Sequence, residues 1–263
     1  MNRRQPFLFT LLAFGYAFLY IPIISLIVYS FNSSRLVTVW GGFSTRWYGS
    51  LFSNDSLLSA AWLSLRIAMV NATFAVMLGT LAAWSLTRFR RFRGRTSFEM
   101  LLTAPLVMPD VIIGLSLLLL FVSMEQLIGW PQGRGFATIS IAHITFSLAY
   151  ATVVIRGRMG QLEPSLEEAA MDLGARPLIV FLKITLPLLA PALISAWLLS
   201  FTLSLDDLVI ASFVSGPGAT TLPMWIYSSV RLGVSPEVNA LATLMLLFVL
   251  VIVLVSGWIL KRD

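Results

Sequence analysis

The sequence predicts an all-α membrane protein with six transmembrane helices. Three observations carry that prediction. Of 263 residues, 58% are hydrophobic and 11% charged, where a soluble domain carries about 25% charged residues. Six apolar runs, near residues 8–31, 67–86, 98–122, 136–155, 188–213 and 240–260, match the roughly 20 residues a helix needs to span a bilayer. The cations then fall in alternate loops. Arg3, Arg4, the cluster Arg88, Arg90, Arg91, Arg93 and Arg95, then Arg156, Arg158, Arg176, Lys183, Lys261 and Arg262 lie on one side, against Arg35, Arg46, Arg66, Arg134 and Arg231 on the other. The positive-inside rule puts the first set, and both termini, in the cytoplasm. The net charge of +6 is therefore topological, and no nucleic-acid partner is expected.

Each element follows in order. The first run is too long for a signal-peptide core and has no small-x-small site after it, so an uncleaved transmembrane helix is expected. Residues 32–64 form an external loop with Trp40, Phe43, Trp47, Tyr48 and Phe52. Aromatics of this kind suit a membrane interface or a docking surface. Pro105 and Pro109 interrupt the third run and imply a broken helix, tolerated where protein or a cavity covers the freed backbone. Gly216-Pro217-Gly218 is expected to end the fifth helix, residues 222–231 to form a short interfacial helix, and Ser235 with Pro236 to start the sixth span. No low-complexity linker divides the chain, so residues 1–263 are read as one membrane domain, with lipid as its surroundings.

The long polar segment between the fourth and fifth runs, residues 157–187, carries the most information. Ser165 and Glu168 fit a capping box. Glu167 and Glu168 stand at the positive end of the helix they open, and Glu167, Glu168 and Asp172 are expected to be exposed around Ala169 and Ala170. Gly174 is placed for a left-handed helix stop, and Pro177 for the first turn of a second helix. From there Leu178, Phe181, Leu182 and Leu186 make an apolar stripe. Pro187 then lies at the membrane surface. Two short helices meeting at Gly174 are the local expectation.

Glu168-Ala169-Ala170, three residues, Gly174, nine residues, then Ile184-x-Leu186-Pro187 resembles the loop signature of permease subunits of ABC importers. The resemblance implies a type I importer permease fold with a coupling helix between helices 4 and 5. Glu168, Ala169, Ala170, Asp172 and Gly174 would then lie on the segment that docks on a cytoplasmic ATPase. Phe31-Asn32-Ser33-Ser34, residues 104–110 and residues 204–223 resemble polyamine importers, and residues 36–40 resemble the putrescine type. The similarity runs along nearly the whole chain. It implies two ATPase subunits holding ATP and Mg²⁺, a second homologous permease, a periplasmic polyamine-binding protein and a bacterial inner membrane. It implies no catalytic site, cofactor or metal in this chain.

Direct reading of the residues agrees on several exclusions. There is no Cys, and His143 is the single histidine, which excludes thiolate chemistry and makes a zinc site unexpected. A buried, hydrogen-bonded role suits His143 better than a ligand role. The two lysines, Lys183 and Lys261, follow no glycine-rich phosphate loop, so ATP hydrolysis is expected in a partner chain.

Intramembrane acids raise a functional hypothesis by default. Asp206 and Asp207 would lie roughly 28 Å along a continuous fifth helix, near its outer mouth. That helix would put Asp207 on a face with Ser200, Ser204, Ala211 and Ser215, and Asp206 with Thr202, Val209 and Ile210. Either Asp207 lines the path of a diammonium substrate, or the two acids bind the Gly216–Gly218 loop or Arg231 and hold a gate. Asp110 lines the path or caps the second half of the broken third helix. Glu99 is expected to pair with an arginine. An ion-coupled secondary transporter, or a permease for another small cation, is the alternative to an ATP-driven importer.

Overall fold

The computed structural model describes residues 4–36, 39–89, 91–232 and 236–260. Arg3, Arg90, Lys261, Arg262, Val37, Thr38 and the cap assigned to Ser235 lie outside the described residues. The helices run α1 (Arg4–Ser30), α2 (Arg46–Phe52), α3 (Asp55–Arg88), α4 (Arg95–Thr103), α5 (Asp110–Ile128), α6 (Phe136–Met159), α7 (Pro164–Asp172), α8 (Pro177–Val180), α9 (Leu186–Leu205), α10 (Val209–Val214), α11 (Leu222–Leu232) and α12 (Pro236–Leu260). Among the described residues, Phe9–Ser30, Asp55–Arg88, Asp110–Ile128, Phe136–Met159 and Pro177–Leu205 are long and apolar enough to cross a membrane, and Pro236–Val251 is a shorter apolar helix.

Two compact units make up the chain, residues 1–59 with 226–263, and residues 60–225. In the first, α12 packs along α1 and α2. Glu237 at the start of α12 accepts hydrogen bonds from Ser50 Oγ (3.0 Å) and Asn54 Nδ2 (3.3 Å). The aromatic loop is folded around the buried Asn32. Asn32 Oδ1 accepts from Gly41 N–H (2.8 Å) and Ser34 N–H (3.1 Å), and Nδ2 donates to the Val39 carbonyl (2.8 Å). Trp47 donates its indole N–H to the Asn32 carbonyl at 2.6 Å and is buried. Trp47 is therefore loop core, whereas Trp40, Phe43 and Phe52 face outward.

In the second unit α6 is the central helix, packed against α9, α10, α5 and α4. One cluster joins Ile67, Ile113, Phe121, Ile139, Ile210 and Val214. A second is built from small residues, Ala75, Ala83, Ala151 and Ala196, with Ile155, Met159 and Leu189. A Cβ at Gly79 would stand 3.0 Å from Ala151 Cβ, so glycine is what lets α3 and α6 approach here. This is membrane-type packing, in which small residues bring backbones together while large apolar side chains face outward. Phe74, Leu81, Leu119, Leu120 and Ile194 do face outward.

The structure bears out the broken third run and corrects the sequence reading at two other places. The third run is two helices, because Pro105 and Pro109 stop the ladder: α4 passes through a 3₁₀ turn at Ala104–Leu106, and α5 starts at Asp110. The fifth helix stops at Leu205, and a separate α10 ends before Gly216. The expected second short helix of the polar loop is the start of the fifth span. α8 continues through a π-helical turn, Phe181–Thr185, into α9. Pro187 has no N–H for the normal helical bond, and Leu186 N–H instead reaches back five residues to Phe181, so a wide turn absorbs the proline without a break.

Candidate functional site

At one end of the second unit, α7 stands as a knob on the polar loop. Its start differs from the expected capping box. Pro164 occupies the first helical position and Glu163 precedes it, so Ser165 is already inside the helix, with its Oγ 3.5 Å from Glu163 Oε2. Proline suits that first position because its missing N–H is not needed there. The C-terminal expectation holds in detail. Gly174 has φ +86°, Gly174 N–H donates to the Met171 carbonyl (2.9 Å) and Ala175 N–H to the Ala170 carbonyl (3.1 Å), which is a Schellman stop.

The acids of α7 separate. Glu168, Ala169 and Asp172 are exposed. Glu167, expected outside, is turned in. Arg88 of α3 meets it with two hydrogen bonds, Nε to Oε2 and Nη2 to Oε1, both 2.8 Å. Thr185 Oγ1 donates to Oε1, also at 2.8 Å. Beside this cluster a cavity of about 600 Å³ is lined by residues that include Trp84, Met171, Phe181 and Thr185. Leu166 and Leu173 are exposed, Leu173 by 90%. Neither was singled out in the sequence, although their seven-residue spacing places them on one helix face next to Ala169 and Ala170. Nearby, Glu99 of α4 pairs with Arg156 of α6. The hydrogen bond and charge of Arg156 hold the Glu99 carboxyl below its ordinary 4.5.

The second candidate region lies at the break between α9 and α10. Asp207 does not share a continuous helical face with Ser200 and Ala211, because the helix ends two residues before it. Its carboxylate instead accepts the N–H groups of Ala211 (2.7 Å) and Ile210 (3.3 Å), closing the first turn of α10. His143 of α6 joins it, with Nε2 at 3.1 Å from Asp207 Oδ2 and Nδ1 at 2.7 Å from Ser204 Oγ. The partners of Asp207 are therefore His143 and the α10 backbone, where the gate alternative named the Gly216–Gly218 loop or Arg231. Asp206 ends α9 and is exposed. Further along α6, Asn71 Nδ2 donates to Ser147 Oγ (3.1 Å) and the Ser200 carbonyl (2.7 Å), so buried polar groups link α3, α6 and α9. Asp110 is exposed at the first position of α5, where the helix dipole favours its charge.

Comparison with known proteins decides the family. Residues 75–262 match the family described as binding-protein-dependent transport system inner membrane component. The chain belongs to that family. The permease is 60% identical to the putrescine transport system permease protein PotI of Escherichia coli K12, over 98% of this chain and 92% of that one. It is 48% identical to the spermidine/putrescine transport system permease protein PotC of the same organism, over 94% and 91%. Among solved structures, a bacterial ABC transporter involved in import of the acidic polysaccharide alginate superposes with TM-score 0.73 at 18% identity, covering 99% of this chain and 98% of that one. The methionine ABC transporter MetNI, in inward-facing form, gives 0.58 at 17% identity, over 78% and 94%. The permease thus has the type I ABC importer permease fold, and it is a multi-pass inner-membrane component.

Proposed function

We propose that this permease is one membrane half of an ATP-driven importer that moves a polyamine, putrescine foremost and spermidine second, by alternating access. The similarity to PotI over nearly the full length carries the substrate reading, and its margin over PotC favours putrescine. In this reading a periplasmic binding protein delivers the diamine, a second homologous permease completes the path, and two ATPase subunits bind ATP and Mg²⁺ and hydrolyse ATP. Both termini and α7 face the cytoplasm, as the cation distribution supports. The exposed Glu168, Ala169 and Asp172, with the half-buried Ala170 and the turn at Gly174, form the ATPase-docking surface. Asp206 and Asp110, both exposed, are the proposed path carboxylates, because two opposite charges in a poorly hydrated path attract strongly. Asp207, held by His143 and α10, is proposed as the strut of an adjoining gate.

Labelled putrescine uptake into vesicles holding the purified complex tests this reading. Uptake is expected with ATP present and absent without it, even under an imposed ion gradient. Uptake on the gradient alone would sink it in favour of secondary transport.

A further inference from the structure

We propose that Glu167 is a positioning residue that transmits movement of α7 to α3 and α9. It would act through its ion pair with Arg88 and its hydrogen bond from Thr185. The proposal rests on the reading of α7 as the ATPase-docking helix.

The first ground is geometric. Both oxygens of Glu167 are occupied, one by Arg88 Nε and the other by Arg88 Nη2 and Thr185 Oγ1, all at 2.8 Å. The two charged side chains are largely covered, at 17% and 15% exposure. Both carboxylate oxygens of Glu167 are thus engaged within this chain, whereas Glu168 beside it is exposed. A bidentate guanidinium–carboxylate pair fixes orientation as well as distance, and in a partly buried site removing one member leaves an uncompensated charge.

The second ground is where the pair sits. With Thr185 it joins the last residue of α3, the first turn of α7 and the last residue of the π-helical turn that leads into α9. The space beneath α7 is not filled by side chains, since Trp84, Met171 and Phe181 line a cavity of about 600 Å³ there. Packing across an open space transmits little displacement, so on the cavity side the ion pair is a stiff connection between α7 and α3, beside the packing of α7 on α8 and the π-helical turn. The π turn is a deformable step in an otherwise continuous helix, and Thr185 ties the same carboxylate to it. A push on α7 is thereby delivered at two points, the end of α3 and the root of α9.

The complex of permease, ATPase and binding protein in vesicles gives the test, read as putrescine taken up per ATP hydrolysed. The wild-type complex is measured first. If it transports without ATP, the importer reading itself fails, and this proposal with it. With a working wild type, Glu167→Gln should keep the ATPase in the purified complex and keep ATP hydrolysis running, while uptake per ATP falls about tenfold. Arg88→Lys, which keeps the charge but loses the fork, should fall between the two. The double variant Glu167→Gln with Arg88→Gln should be no worse than the worse of those two substitutions made singly. Unchanged uptake per ATP in Glu167→Gln overturns the proposal, as do additive losses in the double variant. Loss of the ATPase from the Glu167→Gln and Arg88→Lys complexes alike also overturns it, because the pair would then be a folding or docking contact.

Discussion

Asp206 and Asp207 are adjacent in sequence and differ in every physical respect that matters. Asp207 has three hydrogen-bond partners, and Asp206 is exposed at the end of α9. Asp207→Ala should lower the stability of the purified complex by about 1.5–3 kcal/mol, since hydrogen bonds to a charged group are lost and His143 is left without one partner. Thermal denaturation would reveal it, and an unchanged midpoint would remove the gate role. Asp206→Asn should leave that midpoint alone and raise the KM for putrescine uptake. An unchanged KM would take Asp206 off the path. Glu99 gives a pH dependence. Its carboxyl is held below 4.5 by Arg156, so the pair's contribution is fully present above the unfolded value and is lost as pH falls through the lower folded value. Both side chains are more than a third exposed, at 36% and 38%, so the effect is small. Glu99→Gln should therefore shift the melting midpoint slightly at pH 7 and not at all well below pH 4.5. A shift that persists in acid would assign the effect to packing.

At the scale of elements, Gly174 is the residue on which the shape of α7 depends. Its φ of +86° costs a side chain about 1–2 kcal/mol, and a β-branched one is the poorest fit. Gly174→Val should leave membrane insertion intact and reduce uptake while ATP hydrolysis continues. Full uptake in that variant would remove the docking role of α7. The stop at Gly174 and the start at Pro177 were legible in the sequence because glycine and proline restrict the backbone locally. The capping box was misread because Pro164 moves the helix start one residue upstream of Ser165. The break after Leu205 has no proline or glycine to announce it; Asp207 caps the first turn of α10 there and also meets His143 of α6, a tertiary contact. Glu167 turned inward for the same kind of reason, since its partner Arg88 is distant in sequence and read naturally as one of a run of topology-setting cations.

At the scale of the whole molecule, orientation can be measured directly because the chain contains no Cys. A single cysteine at position 168 should react with an impermeant thiol reagent only from the cytoplasmic face, and one at position 43 only from the periplasmic face. The reverse pattern would invert the topology and remove α7 from the ATPase side. The small-residue packing of α3, α6 and α9 bears on how the permease tolerates change. Lipid gives large apolar side chains on the outer faces no particular partner to lose, so leucine, phenylalanine and isoleucine there should exchange freely. Gly79, Ala75, Ala83, Ala151 and Ala196 hold contacts that any larger group would force apart. In a saturation-mutagenesis survey of uptake, the least replaceable positions of this unit should be its smallest residues, a map inverted from that of a water-soluble domain, where large core side chains are the sensitive ones.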